Sequence, residues 1–485
     1  MSVRKALGLS AISQLANFVL GFASVVIVSR LLTPAEIGVF SVAVSVLGFA
    51  HVFREFGVGQ YLVQAKVVGR EQLRAAFSLT LFFSWSIAAA LYLGRIPLAA
   101  FYNHDGIAEV LALLSLNFVL LPFGTPLLSL LQRELKFGTL AIVSICNSVV
   151  STATTVLAAL AGESYLSMAW GAIAGHITNI VLLNFIRRGE IFMLPTFKGL
   201  REIVKFGSVS SLVSFLSEIG ASAPDLILGR TLGFSAVAYY SRAAGLRKMV
   251  LGQLATLVNK VYFPSFAKNV RSGQNPAELY TRAMNYLLAV TVPTMALLAL
   301  LAEPLIIFLF GPQWERAAPL ATLLCVFSIL SAPYSMANLS LIASGNINRV
   351  LYVQLAIQGL RVAILATSIW FPLEIVVPLL GVVAIAEAVF YQQALHKAFQ
   401  LTFMTLMSKT RTCFVLLPFS LIGPAVAMHF LYRPDADALH LLITLATSGI
   451  LALGGWLLGV RTMRHPLQIE LLTVLKRLRF SKSNG

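Results

Sequence analysis

The sequence predicts an all-helical integral membrane protein. Of its 485 residues, 58% are hydrophobic and 11% are charged, a balance outside the range of water-soluble domains. Apolar stretches of about 20 residues recur along the whole chain, and each is long enough to cross roughly 30 Å of hydrocarbon as a helix. Segments of the first half also recur in the second half, which indicates an internal repeat. We therefore expect about 14 transmembrane helices in two repeated lobes.

The apolar stretches give the positions of these helices. They are too long and too uniformly apolar to be strands of a membrane barrel, and in lipid a helix satisfies all of its own backbone hydrogen bonds. The predicted spans are 6–30, 36–56, 73–96, 107–131, 138–161, 165–187, 206–230, 236–262, 280–302, 317–343, 348–371, 375–398, 412–432 and 438–460.

The repeat is clearest where residues 29–43 align with residues 229–243 at an offset of 200. Identical residues at this offset are Arg30 and Arg230, Leu32 and Leu232, Ser41 and Ser241, and Ala43 and Ala243. The offset grows slowly to 211, where Pro122 aligns with Pro333. Six spans separate the two copies, so both have the same orientation in the membrane. Parallel repeats of this kind predict two halves related by an axis along the membrane normal, with the substrate path between them.

These patterns divide the chain into five segments. We expect an N-lobe of six spans over residues 1–188 and a C-lobe of six spans over 206–400. Residues 189–205 mix aromatic and basic side chains and predict an amphipathic interfacial linker. Residues 401–460 hold two further spans, and residues 461–485 form a basic cytoplasmic tail.

The net charge of +17 does not indicate a nucleic-acid partner, because the basic residues alternate with the predicted loops. Most of them lie in the loops on the side of the N-terminus, for example Arg70, Arg271 and Lys409. This bias predicts that both termini are cytoplasmic. It also suits contact with anionic membrane lipids.

Polar side chains within the spans mark candidate cavity residues. A stripe of helical periodicity on the first span includes Gln14 and Asn17, and the seventh span carries a similar stripe that includes Ser214. Small polar residues of this type also join neighbouring helices, so a packing role stays open. Two acids of the seventh span, Glu218 and Asp225, are costly at membrane depth unless they are hydrated, paired or protonated. We expect both to face a water-filled cavity and to take part in ion coupling.

The two halves differ most in their buried charge. Arg242, Arg247 and Lys248 of the second half align with three uncharged residues of the first. Two later spans add Arg361 and a further acid, Glu387. We interpret the four cations as candidates for binding an anionic diphosphate and Glu387 as a third cavity acid. Pairing with these acids and snorkelling to the membrane surface are alternatives for each cation.

The sequence contains no pattern typical of a catalytic or cofactor site. It lacks a phosphate-binding glycine loop, a nucleophile elbow and a HExxH metal motif. We therefore predict no catalytic residue, no metal and no cofactor, and a protein that is not an enzyme.

The segments 31–50 and 53–64 resemble the polysaccharide-transporter branch of the multidrug/oligosaccharidyl-lipid/polysaccharide exporter superfamily. In the second half, residues 225–233, 261–268 and 311–320 resemble further segments of that branch in the same order. The resemblance implies two six-helix lobes that form a V-shaped central cavity, together with two further helices. It also implies that the lobes alternate between inward-open and outward-open states.

It also implies a function, a bacterial inner-membrane flippase for undecaprenyl-diphosphate-linked oligosaccharide units in exopolysaccharide, capsule or lipopolysaccharide biosynthesis. Its partners would be this lipid-linked substrate, membrane lipids and the polysaccharide polymerase or assembly machinery, without nucleic acid. Two alternatives from the same superfamily are a multidrug cation antiporter and a peptidoglycan-precursor flippase. A membrane glycosyl polymerase or ligase is a third alternative from a different class.

Overall fold

A computed structural model describes residues 3–55, 69–187, 196, 200–433, 437–470 and 472–473. Every regular element within these residues is helical, as the composition predicts. The chain divides into two compact units, Met1–Ala238 and Tyr239–Gly485, and each is described by itself.

The first unit is built mainly from long apolar helices. Its helices are α1 Val3–Leu31, α2 Pro34–Glu55, α3 Arg70–Tyr102, α4 Gly106–Leu120, α5 Thr125–Arg133, α6 Phe137–Leu160, α7 Leu166–Ile186 and α8 Leu200–Thr231. Helix α6 packs along α7 and α1, while α8 packs along α2. A further helix, α9 Phe234–Arg271, begins at the end of this unit and continues into the next.

The second unit has the same kind of organisation. After α9 it contains α10 Pro276–Leu300, α11 Ala302–Phe310, α12 Ala317–Ser331, α13 Ala337–Ala343, α14 Ile347–Ala366, α15 Leu373–Phe399, α16 Phe403–Leu431 and α17 Ala438–Thr462. The last two helices pack on each other, and α16 also packs on α10. The Trp456 indole on α17 donates a hydrogen bond to the Ala289 carbonyl on α10 at 2.7 Å.

Two of the predicted spans are each broken once, at equivalent points of the repeat. The span predicted at 107–131 consists of α4, a 3-10 turn over Leu121–Phe123 and α5. The span predicted at 317–343 consists of α12, a 3-10 turn over Ala332–Tyr334 and α13. Pro122 and Pro333 lie in these turns. Proline lacks a backbone N–H and clashes with the preceding helical turn, which explains both breaks.

The all-helical membrane class is confirmed, but the predicted count of about 14 spans is not. Twelve helical segments in the described part of the chain are long and apolar enough to cross a membrane. The other two predicted spans correspond to α8 and α9, which are long helices but carry several charged side chains. The predicted and observed numbers of spans therefore differ because of α8 and α9, the two helices that hold most of the candidate site residues.

The predicted segment boundaries stay predictions. The boundary between the two compact units falls in the sequence between Ala238 and Tyr239, after the predicted linker. Helix α8 belongs to the first unit because it packs against α2. Most of the linker predicted at 189–205 lies outside the described residues, and its last part, from Leu200, is already the start of α8. The tail predicted from residue 461 is described only as far as residue 473.

Candidate functional site

The two acids of α8 contact hydroxyl groups in the first unit. The Ser45 hydroxyl on α2 donates a hydrogen bond to Asp225 Oδ2 at 2.9 Å. One helical turn inside α8, the Ser222 hydroxyl donates to Glu218 Oε1 at 2.5 Å. Ser45 and Ser222 are buried, and both carboxylates are half-buried. A carboxylate in this setting keeps part of its hydrogen bonding without contacting bulk water on all sides.

Small residues on α2 allow this close approach. A Cβ atom added at Gly48 would lie 2.9 Å from Glu218 Cδ and 2.8 Å from Ser222 Oγ, closer than real Cβ contacts. A Cβ atom at Gly38 would overlap the backbone of Phe234 in the same way. The structure thus places Glu218 and Asp225 against α2. Their exposure to a water-filled cavity stays a prediction.

Arg242, in the second unit, is held by aromatic rings. Its guanidinium carbon lies 5.3 Å from the centroid of the Trp314 ring and 5.8 Å from that of Phe310. Its Nε atom is buried and has no hydrogen-bond partner among the described residues. Cation–π attraction of this kind offsets part of the cost of removing the guanidinium from water. Aromatic rings, rather than an acid alone, therefore accommodate this cation.

Arg247, Arg361 and Glu387 form a charged cluster in the same unit. Arg247 Nη1 donates to Ser328 Oγ at 3.4 Å, and Arg361 Nη1 donates to Gln358 Oε1 at 2.9 Å. Both guanidinium groups interact electrostatically with the Glu387 carboxylate. Two cations and one acid leave this cluster with an excess of positive charge.

A chain of side-chain hydrogen bonds extends the cluster along α14 and α15. Gln358 Nε2 donates to Gln354 Oε1 at 2.9 Å, and Gln354 Nε2 donates to the Tyr391 hydroxyl at 3.0 Å. Because Gln358 also accepts from Arg361, these bonds fix the orientation of that guanidinium. Lys248, in contrast, is exposed. The structure therefore brings three of the predicted residues together and leaves Arg242 and Lys248 in different surroundings.

The predicted polar stripe on α1 contacts α6. Asn17 Nδ2 donates to Ser144 Oγ at 2.6 Å, and Ser148 Oγ donates to Asn17 Oδ1 at 2.8 Å. Gln14 is half-buried, and the side chain of Ser214 lies outside the described part of the chain. For Asn17, both the cavity role and the packing role stated above stay compatible with these contacts.

Several residues of these sites were not predicted from the sequence. Gly38, Ser45 and Gly48 lie seven and three residues apart on α2, a spacing that places small residues on one helical face and could have indicated a close helix contact. Trp314, buried in a 3-10 turn distant in sequence from Arg242, carries no such signal.

The repeated, apolar helices define a multi-pass helical membrane protein. A sequence profile of the family described as "Polysaccharide biosynthesis protein" matches residues 27–319, which is more than half of the chain. The chain therefore belongs to this family, and the family resemblance stated from the sequence is confirmed.

Characterised and uncharacterised relatives agree with this assignment. The chain is 26% identical over 337 residues to the "Succinoglycan biosynthesis transport protein ExoT" of Rhizobium meliloti (strain 1021), covering 69% of this chain and 68% of that one. It is 22% identical over 330 residues to the "Lipopolysaccharide biosynthesis protein WzxC" of Escherichia coli (strain K12), covering 66% of each. It is 24% identical over 322 residues to an "Uncharacterized membrane protein in cps region" of Klebsiella pneumoniae, covering 65% and 66%. The last two matches span just under two thirds of those relatives.

Solved structures show the same fold. The "Lipid II flippase MurJ, inward closed conformation" matches with a TM-score of 0.73 at 14% identity, covering 94% of this chain and 99% of that one. An inward-facing "multidrug resistance MATE family transporter of the MOP superfamily" matches with a TM-score of 0.61 at 16% identity, covering 82% and 96%. At these identities the similarity establishes the fold of the chain alone.

Proposed function

We propose that this protein is a flippase that moves an undecaprenyl-diphosphate-linked oligosaccharide across the bacterial inner membrane for polysaccharide biosynthesis. The single observation that carries the proposal is family membership over residues 27–319. The named transport role of the relative ExoT in succinoglycan biosynthesis supports it. The fold shared with MurJ and MATE transporters supports alternating access of two lobes around a central cavity. The protein would be a transporter rather than an enzyme.

The charged cluster supports an anionic substrate. A diphosphate leaves water only if cations or hydrogen-bond donors replace its hydration. Arg247 and Arg361, which both interact electrostatically with Glu387, are the groups we infer would bind it. Arg242 and Lys248 would contribute positive potential from separate positions. Glu218 and Asp225 would exchange a cation or proton during the return step, and Glu387 would balance the empty site.

The same observations bear on two other functions found in this superfamily. The similarity to MATE favours a multidrug cation antiporter, but the excess of positive charge around Glu387 opposes binding of a cationic drug. The similarity to MurJ favours a peptidoglycan-precursor flippase, whose lipid diphosphate would suit the same cluster. The relatives named for succinoglycan and lipopolysaccharide biosynthesis favour the polysaccharide role.

We further infer that both termini are cytoplasmic, on the charge bias of the loops. Cysteines placed at Asp105 and Glu163 should then react with an impermeant thiol reagent added to intact cells. Cysteines placed at Arg271 and Lys409 should react only after the cells are opened. The reverse pattern would overturn the orientation.

The experiment that tests the function is disruption of the gene in its host, with polymer export and the lipid-linked intermediate measured together. We expect export to stop, the lipid-linked oligosaccharide to accumulate on the cytoplasmic side, and the parent gene to restore export. A disrupted strain that exports normal polymer but becomes sensitive to cationic drugs would support the antiporter instead. Growth arrest with cell lysis and normal lipid-linked oligosaccharide would support the peptidoglycan role.

A further inference from the structure

A large open cavity lies in the first unit, between α1, α5, α6 and α7. Its volume is about 690 Å³, within the size range of small-molecule sites. All of its lining residues belong to Met1–Ala238, so the cavity is a feature of one compact unit. It lies beside the Asn17 network, because Ser144 and Ser148 belong to both.

The lining is polar but uncharged. Amides and hydroxyls make up half of it, and no lining residue carries an ionisable side chain. The polar groups are Ser13, Gln132, Ser144, Asn147, Ser148 and Asn179. Amide and hydroxyl groups both donate and accept hydrogen bonds, which is the pattern that sugar hydroxyls require. An ion would find no opposite charge in this lining.

Part of this hydrogen-bonding capacity is unused within the described residues. Asn147 Nδ2 donates to the Gly175 carbonyl at 3.1 Å, and its Oδ1 atom has no donor in the described part of the chain. The amides of Gln132 and Asn179 likewise make no hydrogen bond to any described residue. Gln132 is exposed, while Asn147 and Asn179 are half-buried. Half-buried polar groups at membrane depth need hydrogen-bond partners, which water or a ligand in the open cavity can supply.

A groove on the corresponding pair of helices in the second half of the chain has a different chemistry. Helices α14 and α15 repeat α6 and α7 in the order of elements, and a groove of about 360 Å³ lies between them. That groove is lined by Arg349, Lys397 and the amide of Gln393, together with aromatic and apolar side chains. A polar lining without any ionisable side chain therefore distinguishes the cavity of the first unit from this groove.

We propose that the cavity of the first unit is a binding subsite for uncharged sugar residues of the lipid-linked oligosaccharide. This inference rests on the proposed function and adds a site for the sugar part of the substrate to it. Amides and hydroxyls of the first unit would bind sugar hydroxyls in this cavity. Selectivity among sugars would then depend mainly on Gln132, Asn147 and Asn179.

The test compares two probes on the purified full-length protein in lipid nanodiscs. One probe is undecaprenyl diphosphate, and the other is the lipid-linked oligosaccharide extracted from a host strain blocked in polymerisation. The variant is the double substitution Gln132→Leu with Asn179→Leu, which keeps side-chain volume close to the original. Neither side chain bonds a described residue, so we expect little loss of stability. Thr178→Val is the matched control, because within the described residues the Thr178 hydroxyl bonds only to the Ala174 carbonyl of its own helix.

The parent protein should bind the sugar-bearing lipid more tightly than undecaprenyl diphosphate. The ratio of the two Kd values measures how much the sugars add to binding. In the double variant this ratio should fall about tenfold, as expected for two or more lost hydrogen bonds. The Kd of the double variant for undecaprenyl diphosphate should stay within about twofold of that of the parent. The Thr178→Val variant should show the same ratio of Kd values as the parent. A melting curve of each variant checks that it is folded.

Two results would overturn the proposal, and they are distinguishable. If the folded double variant binds the sugar-bearing lipid as much more tightly than undecaprenyl diphosphate as the parent does, the cavity holds only water and is not a sugar subsite. If the parent protein binds neither lipid above a liposome control, the proposed function fails and the subsite fails with it.

Discussion

The Ser45 hydroxyl on α2 donates a 2.9 Å hydrogen bond to the Asp225 carboxylate on α8. This bond joins two helices whose sequence positions are 180 residues apart. Together with the close contact of Gly48 and Glu218, it makes the contact between α2 and α8 a polar helix contact. Any movement that separates these helices must expose or replace both carboxylate interactions.

Gly48 should be intolerant of a side chain. The Gly48→Ala variant would place a Cβ atom onto the Glu218 carboxylate and close to Ser222 Oγ. The Glu218 side chain would then have to leave its position and its bond to Ser222, and overpacking of this kind costs about 1–3 kcal/mol. We expect a lower melting temperature in detergent and a lower membrane level. Gly21→Ala is the control, because no atom lies within 4 Å of a Cβ at that position. Equal melting temperatures for both variants would show that the position of Glu218 against α2 does not contribute to stability.

The carboxylates of α8 should matter more for transport than for folding. In Asp225→Asn the amide oxygen can still accept the Ser45 hydrogen bond, but the side chain can no longer carry charge. We expect export to fall about tenfold or more, an effect that corresponds to at least roughly 1.4 kcal/mol, while the membrane level stays near that of the parent. Glu218→Gln should behave similarly, since Ser222 can bond to the amide oxygen.

Ser45→Ala is the control for this pair, because it removes the hydrogen-bond donor and keeps the Asp225 charge. It should reduce export less than Asp225→Asn does. Loss of the Asp225→Asn protein from the membrane would instead make the carboxylate a structural partner.

Removal of positive charge from the cluster should weaken lipid diphosphate binding. Arg247→Gln and Arg361→Gln should each raise the Kd for undecaprenyl diphosphate about tenfold or more, because hydrogen bonds to charged groups contribute roughly 1.5–3 kcal/mol. Each variant is also combined with Glu387→Gln, which restores the net charge of the parent cluster. Arg242→Gln and Lys248→Gln should have smaller effects.

The control for these cations comes from the first half of the chain. Leu47 aligns with Arg247 and is 5% exposed, so truncation to a small residue would damage packing. Leu47→Met keeps the volume, costs less than about 1.5 kcal/mol and should leave the Kd unchanged. If all four cation-to-neutral variants were well folded and bound the lipid as the parent does, the anion site would be wrong.

His465, which follows α17, should make stability depend on pH. Its Nδ1 accepts from the Leu467 N–H at 3.2 Å, and its Nε2 lies 2.9 Å from Asn285 Oδ1, an arrangement that requires the neutral ring with the proton on Nε2. Burial lowers the pKa of His465 below its ordinary value of 6.5. The unfolded chain therefore binds this proton more readily than the folded protein does.

Stability from His465 is then fully present above about pH 6.5 and decreases as the pH falls from that value toward the lowered pKa. The melting temperature in detergent should drop between roughly pH 7.5 and pH 5. In His465→Gln the baseline melting temperature is lower, but this part of the pH dependence should disappear. An unchanged slope in the variant would assign the dependence to other groups.

Much of the fold follows from local properties of the sequence. Apolar runs locate the helices, and the aligned prolines Pro122 and Pro333 explain why one span in each half is broken. The association of α8 with α2 does not follow from these properties. Small residues such as Gly38 and Gly48 permit a close contact without specifying which helix makes it.

The candidate site was predictable as a set of residue types but not as a geometry. Buried charge in a membrane helix is rare enough to identify Arg242, Arg247, Arg361 and Glu387 directly. Periodicity also shows that Arg242 and Arg247 point in different directions. It cannot show that Arg242 contacts the Trp314 ring, because that contact depends on a turn 72 residues away in the sequence.

The most direct test of the central claim is translocation of the lipid-linked oligosaccharide in proteoliposomes made with the purified full-length protein. The fraction accessible to an impermeant sugar-cleaving enzyme is followed over time after the lipid is placed in the opposite leaflet. We predict that the parent protein accelerates translocation above protein-free liposomes and that the Arg247→Gln, Arg361→Gln double variant does not. Translocation equal to that of protein-free liposomes, together with proton-coupled uptake of a cationic dye by the same preparation, would contradict the flippase function.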